Sequence, residues 1–143
     1  MLTISADEIR DKLDWGATID ALERMFRQDC EMPTRHHHTL ADLGARSPVT
    51  LLMPAWIPGK YLGVKTVNVF PDNASRGRPA VSGVYLLFSG ETGEILAVLE
   101  GGELTARRTA AASALAARFL ARPDASRLLV VGTGRLSRYL ALA

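Results

Sequence analysis

Arg107 and Arg108 are adjacent cations near the start of an alanine-rich run, Leu104 to Ala121, whose residues favour a helix. In the first turn of a helix the backbone dipole is positive, so a cation there costs about 0.3–1 kcal/mol unless an anion cancels it. Free N–H groups and guanidinium forks at such a place form a receptor for a carboxylate or phosphate. The alternative is a solvated pair balanced by Glu103 or Asp124, and the pattern alone weighs the two evenly. Lys65 is the second cation out of place. In Gly63-Val-Lys-Thr-Val-Asn-Val69, strand alternation puts it on the face of Val67 and Val69. It is either a pocket lysine or a charge guarding a sheet edge, and periodicity by itself favours the edge. Arg35 lies in Pro33-Thr-Arg-His-His-His38, before the first expected strand. Consecutive histidines on a strand face opposite ways, and no second Cys, His or carboxylate cluster has ligand spacing, so no metal site is expected.

At the other end, Arg127 to Val131 reads as a buried strand and Gly132-Thr-Gly134 as a phosphate-binding turn, with a helix starting near Arg135. Ser137 stands where the third glycine of that fingerprint falls and is small enough for close helix-to-strand packing. A complete mononucleotide-binding unit continues through a second parallel strand to an acidic ribose-binding residue about 20 positions on. The chain to Ala143 reads as only the first strand, turn and half-helix of such a unit.

These groups need elements to position them. Ser5 to Arg10 and Trp15 to Asp29 carry helical signals: Ser5 and Glu8 have capping-box spacing, and Ile19, Leu22, Met25 and Phe26 share a face. Val49–Met53, Tyr61–Phe70, Val81–Phe88 and Glu94–Leu99 are β-rich runs separated by Pro-Gly, Asp-Asn and Glu-Thr-Gly turn chemistry, which predicts a mainly antiparallel sheet. Ser89 to Gly93 predicts a hairpin, Gly101-Gly102 a break after the sheet, and Pro123 a stop after the long helix.

The chain of 143 residues is 48% hydrophobic and 22% charged, ordinary for one globular domain and a short extension. Its net charge of +2 is spread out, which argues against nucleic acid as a partner. Without a leader-like start or an apolar run of membrane-spanning length, it reads as cytoplasmic and not membrane-bound; the single cysteine, Cys30, has no internal partner.

Taken together, Leu52-Met-Pro-Ala55, Gly63-Val-Lys65 leading to Asn68-x-x-Pro-Asp-Asn73, Leu104-Thr-Ala-Arg-Arg-Thr-Ala-Ala-Ala-Ser-Ala114 and Val130-Val-Gly-Thr-Gly134 resemble the ornithine cyclodeaminase/μ-crystallin family over nearly the whole chain. The resemblance implies an α/β protein: an amino-terminal α+β substrate and dimerisation domain over 1–124, then over 125–143 the first strand and turn of an incomplete Rossmann domain. It implies NAD or NADP as cofactor, a homodimer, and a small carboxylate-bearing substrate. Arg35, Met53, Lys65 and Arg108 would bind that substrate, with Lys65 also catalytic. Arg108, Gly132, Gly134, Arg135 and Leu136 would contact the cofactor. Departures from the family pattern fall at Leu51, where ornithine-using relatives place a glutamate, at Ala80, where many carry a threonine with Ser82 here close by, and at Arg135-Leu136. Leucine cannot pair a distal ammonium, which argues against ornithine. The implied parent is an NAD(P)-dependent oxidoreductase or cyclodeaminase acting at an α-carbon, with these 143 residues inactive alone. A crystallin-type binding protein or a stand-alone dimerisation module are the alternatives.

Overall fold

A computed structural model describes residues 1–143. It divides into two compact units, one formed by residues 1–6 and 30–102, the other by residues 7–29 and 103–143. No helix is long and apolar enough to cross a membrane.

The first unit is a six-stranded sheet in the order β1-β6-β5-β4-β3-β2. Its strands are β1 (Leu2–Ile4), β2 (His36–Thr39), β3 (Val49–Ile57), β4 (Tyr61–Val69), β5 (Val81–Ser89) and β6 (Ile95–Glu100). All neighbours are antiparallel except β1 and β6. The four expected strands are present, and the sheet is mainly antiparallel as their turn chemistry predicts. The Ser89–Gly93 hairpin also forms: Gly93 has φ 72°, Ser89 N–H donates to the Glu94 carbonyl at 2.9 Å, and the Ser89 hydroxyl accepts from the Glu91 and Thr92 N–H groups. Between β4 and β5, a 3-10 turn over Pro71–Arg76 is closed by Phe70 N–H donating to the Ala80 carbonyl at 2.7 Å.

Two strands lie outside the sequence expectation. β1 is a three-residue parallel addition to β6, and β2 is the histidine run itself, paired along β3 from His36↔Leu52 to Thr39↔Val49. Both are edge strands whose conformation is supplied by a neighbour's backbone rather than by their own alternation. β4 lies between β3 and β5, so the edge-guarding reading of Lys65 does not hold.

In the second unit, α1 (Ala6–Lys12) and α2 (Trp15–Phe26) match the expected pair of short helices. Asp14 caps α2, its side chain accepting from Ala17 N–H at 2.9 Å. The long helix α3 (Gly101–Leu120) joins the two units in sequence, and α4 (Arg135–Leu142) follows the glycine turn as expected. The core packs Ile19 of α2 against Ala111 and Leu115 of α3, ringed by Trp15, Leu22 and Ala114. Met25 and Phe26, expected on the same face as Ile19 and Leu22, are exposed at the end of α2.

The sheet ends at Glu100, as the Gly101-Gly102 break predicts. Two further expectations need correction. The long helix opens at Gly101 itself, three residues before Leu104. A Cβ on Gly101 would come within 2.5–2.8 Å of the Gly83–Val84 backbone, so the helix starts here because only glycine allows that approach. Arg107 and Arg108 therefore lie in the second turn, beyond the strongest part of the dipole. The segment Arg127–Val131 is not a strand. A strand exists only by pairing, and no strand pairs with this segment; Leu128, Leu129 and Val131 are 72–91% exposed.

Candidate functional site

In the sheet unit, the register assembles a row of side chains on one face. Met53 on β3 pairs with Lys65 on β4, Lys65 with Tyr85 on β5, and Tyr85 with Leu99 on β6. Directly opposed residues of antiparallel strands project to the same side, so these four share a face. Since His36 pairs with Leu52, the preceding Arg35 lies at the level of Met53, exposed beyond the sheet edge. Met53, Lys65 and Tyr85 are half-buried. Leu51 stands on the same face, two residues from Met53 and opposite Val67. Ser82 is paired with Asn68, on the other face of the sheet from Lys65. His36 and His38 stack at 6.2 Å on the face away from that of His37.

Tyr85 was not legible as a site residue, since its run signals only a strand. The one hint is Gly63, a glycine inside β4 that marks a close approach without naming the partner. The partner is Tyr85: a Cβ on Gly63 would meet the phenol oxygen at 1.8 Å. Burial, and second the charge of Cys30, push the Tyr85 phenol above its ordinary range.

In the helical unit, Arg107 and Arg108 separate. Arg108 is exposed on α3. Arg107 is 7% exposed and is used internally: Nε donates to the Leu13 carbonyl at 3.2 Å, Nη2 donates to the same oxygen, and the guanidinium sits 4.3 Å from the Trp15 ring centre. Its Nη1 lies 3.9 Å from Glu103. The shared anion receptor thus loses one arginine to a structural role. Glu103, 1% exposed, is the hub of a cluster: it accepts from Tyr139 Oη at 2.6 Å and from Arg10 at 3.4 Å, and Arg135 approaches to 3.6 Å.

Arg135 is thus the first residue of α4 and a partner of Glu103, while Leu136 beside it is 41% exposed. Gly132 has φ 113°, and Gly134 occupies the N-cap position of α4. Apart from the chain neighbours, no atom lies within 4 Å of where a Cβ would stand on either glycine, so there is open space on that side of the turn. Ser137 donates its hydroxyl back to the Gly134 carbonyl at 2.7 Å.

Both the sequence and the fold of this chain are shared with known proteins. Residues 2–143 match the ornithine cyclodeaminase/mu-crystallin family, and the chain belongs to it. It is 35% identical over 145 residues to a Delta(1)-pyrroline-2-carboxylate reductase of Colwellia psychrerythraea, covering 100% of this chain and 46% of that one. Its fold is similar to the Delta(1)-pyrroline-2-carboxylate reductase of Thermococcus litoralis in complex with NADH and L-proline (TM-score 0.86, 29% identity, 99% of this chain and 45% of the other). It is equally similar to an archaeal alanine dehydrogenase dimer with bound NAD (TM-score 0.87, 29% identity, 99% and 44%). The chain spans under half the length of these relatives.

Proposed function

We propose that the protein carrying this chain is an NAD(P)-dependent oxidoreductase acting at the α-carbon of a small amino acid or cyclic imine. The observation that carries the reading is Lys65, a cation on an interior strand, level with Met53 in a chain whose relatives are imine reductases and amino-acid dehydrogenases. Residues 1–124 form the substrate and dimerisation domain, and residues 125–143 begin the cofactor domain. Arg35, Met53, Lys65 and Arg108 bind the substrate, the cations taking its carboxylate. Fixing the carboxylate fixes the α-carbon, so these side chains lower the barrier mainly by positioning. Lys65 also serves in proton transfer at the imine nitrogen.

The open glycine turn suits a dinucleotide: Gly132, Gly134, Arg135 and Leu136, with Arg108, hold NAD or NADP, which supplies the hydride when bound. The 143 residues alone bind carboxylate but do not turn over. The full-length protein is a cytoplasmic homodimer, and Leu51 opposite Val67 argues for a substrate without a distal ammonium.

The test is NADH or NADPH oxidation by the full-length protein with pyrroline-2-carboxylate and related imines. Arg108→Ala is expected to lower kcat/KM about tenfold or more, the scale of removing one charged hydrogen bond to the carboxylate. Unchanged efficiency ends the assignment of Arg108. Carboxylate binding without any NAD(P)H oxidation would make the protein a binder rather than an enzyme.

A further inference from the structure

We infer that Tyr85 sets substrate size in the Lys65 site: its ring, laid across Gly63, walls the space beside the ammonium and admits only a small group on the α-carbon of a carboxylate held there. This rests on the proposed carboxylate role of Lys65. Three observations carry it. Tyr85 is the direct register partner of Lys65 and shares its face. Its phenol oxygen lies over Gly63, two residues along β4 from Lys65, in the space that any side chain at that position would fill. The ring is therefore turned along the sheet surface rather than standing away from it, and it covers the level of Ala55, Gly63 and Leu87 next to that of Met53, Lys65 and Leu99.

The chemistry follows from that position. A carboxylate paired with Lys65 has its α-carbon one bond away, and whatever the α-carbon bears meets the flank of an aromatic ring. A ring or short aliphatic group packs against that flank, whereas a long or branched one collides with it. The hydroxyl adds a neutral donor and acceptor at the same wall, since burial and the Cys30 charge oppose its ionisation. A purely structural tyrosine, filling the gap left by Gly63, would contribute stability without affecting which substrate is used.

The experiment compares full-length wild type, Tyr85→Phe and Tyr85→Ala on imino acids of increasing α-substituent, from methyl to benzyl. The readout is the ratio of kcat/KM for large over small substrates. Tyr85→Ala is expected to raise that ratio by about tenfold or more, the scale of one or two apolar groups gaining room. Tyr85→Phe keeps the wall and leaves the ratio unchanged. An unaltered ratio in Tyr85→Ala overturns the inference even if both variants lose stability.

If wild type lacks turnover, the same ratio is read from Kd values for the matching 2-oxo carboxylates, so failure of the proposed activity and failure of the Tyr85 wall are separate results. Gly63→Ala guards against misfolding of Tyr85→Ala. It should lower Tm in the Tyr85 background and be relieved in the Gly63→Ala/Tyr85→Ala double variant, and absence of relief would show that the ring does not lie over Gly63.

Discussion

Tyr85 also makes a prediction about pH. Its phenol is held above the ordinary 10.0 by burial first and by the Cys30 charge second. The folded protein therefore keeps the proton where the unfolded chain loses it. Above about pH 10, the unfolded state binds fewer protons, so stability falls as pH rises. Ultraviolet titration of wild type minus Tyr85→Phe should show a phenol ionising above the ordinary tyrosine range, with the decline in Tm above pH 10 reduced in the variant. A difference spectrum titrating at the ordinary phenol value would contradict the burial. Tyr61 and Tyr85 sit at opposite levels of neighbouring strands and look alike in sequence, yet Tyr61 is 53% exposed. At the same scale, Arg107 and Arg108 look interchangeable as neighbours on a helix. Only the helix start at Gly101 and the Leu13 carbonyl decide that Arg107 faces inward.

Among elements, α3 carries the largest electrostatic commitment. Glu103 in its first turn sits at 1% exposure among Arg10, Arg107, Arg135 and Tyr139. Glu103→Ala removes the carboxylate beside the buried Arg107 guanidinium, which keeps the Leu13 carbonyl and the Trp15 ring, so the loss falls at the low end of the about 3–5 kcal/mol for breaking a buried pair. Arg10→Ala removes only a solvent-screened partner, so a much smaller loss is expected. Denaturant unfolding of the two variants checks the contrast, and equal losses would refute the hub role of Glu103. The elements best legible in sequence were those that state their own period: β3 to β6 by alternation and turn residues, α3 by alanine content. β1 and β2 were not legible because their strand state comes from pairing, and the histidines of β2 have no apolar face to reveal it. The segment at Arg127–Val131 failed for the converse reason, since it has strand composition and no partner. Of the candidate site, Met53 and Lys65 are joined by the register of β3 and β4, but that register, which also brings in Tyr85, depends on hairpin lengths rather than on any one residue.

At the scale of the molecule, the family match covers residues 2–143 while the relatives are more than twice as long. Arg127–Val131 then has a consequence for handling the protein. Leu128-Leu129-Val130-Val131 is an uncharged window of β-favouring residues, with Leu128, Leu129 and Val131 72–91% exposed and their backbone groups not paired in a sheet. Such a window templates intermolecular strand pairing, and its only adjacent gatekeeper charge is Arg127. The isolated 143-residue chain should therefore form thioflavin-binding, β-rich aggregates at rates that rise with concentration. A single charge, Leu129→Lys, should suppress them without lowering the unfolding free energy by more than about 0.5 kcal/mol, as for other exposed substitutions. Light scattering of the two chains side by side decides it: if Leu129→Lys aggregates as fast as wild type, the nucleating surface lies elsewhere. The feature that reads as the start of a second domain would thus limit how concentrated the first can be kept on its own.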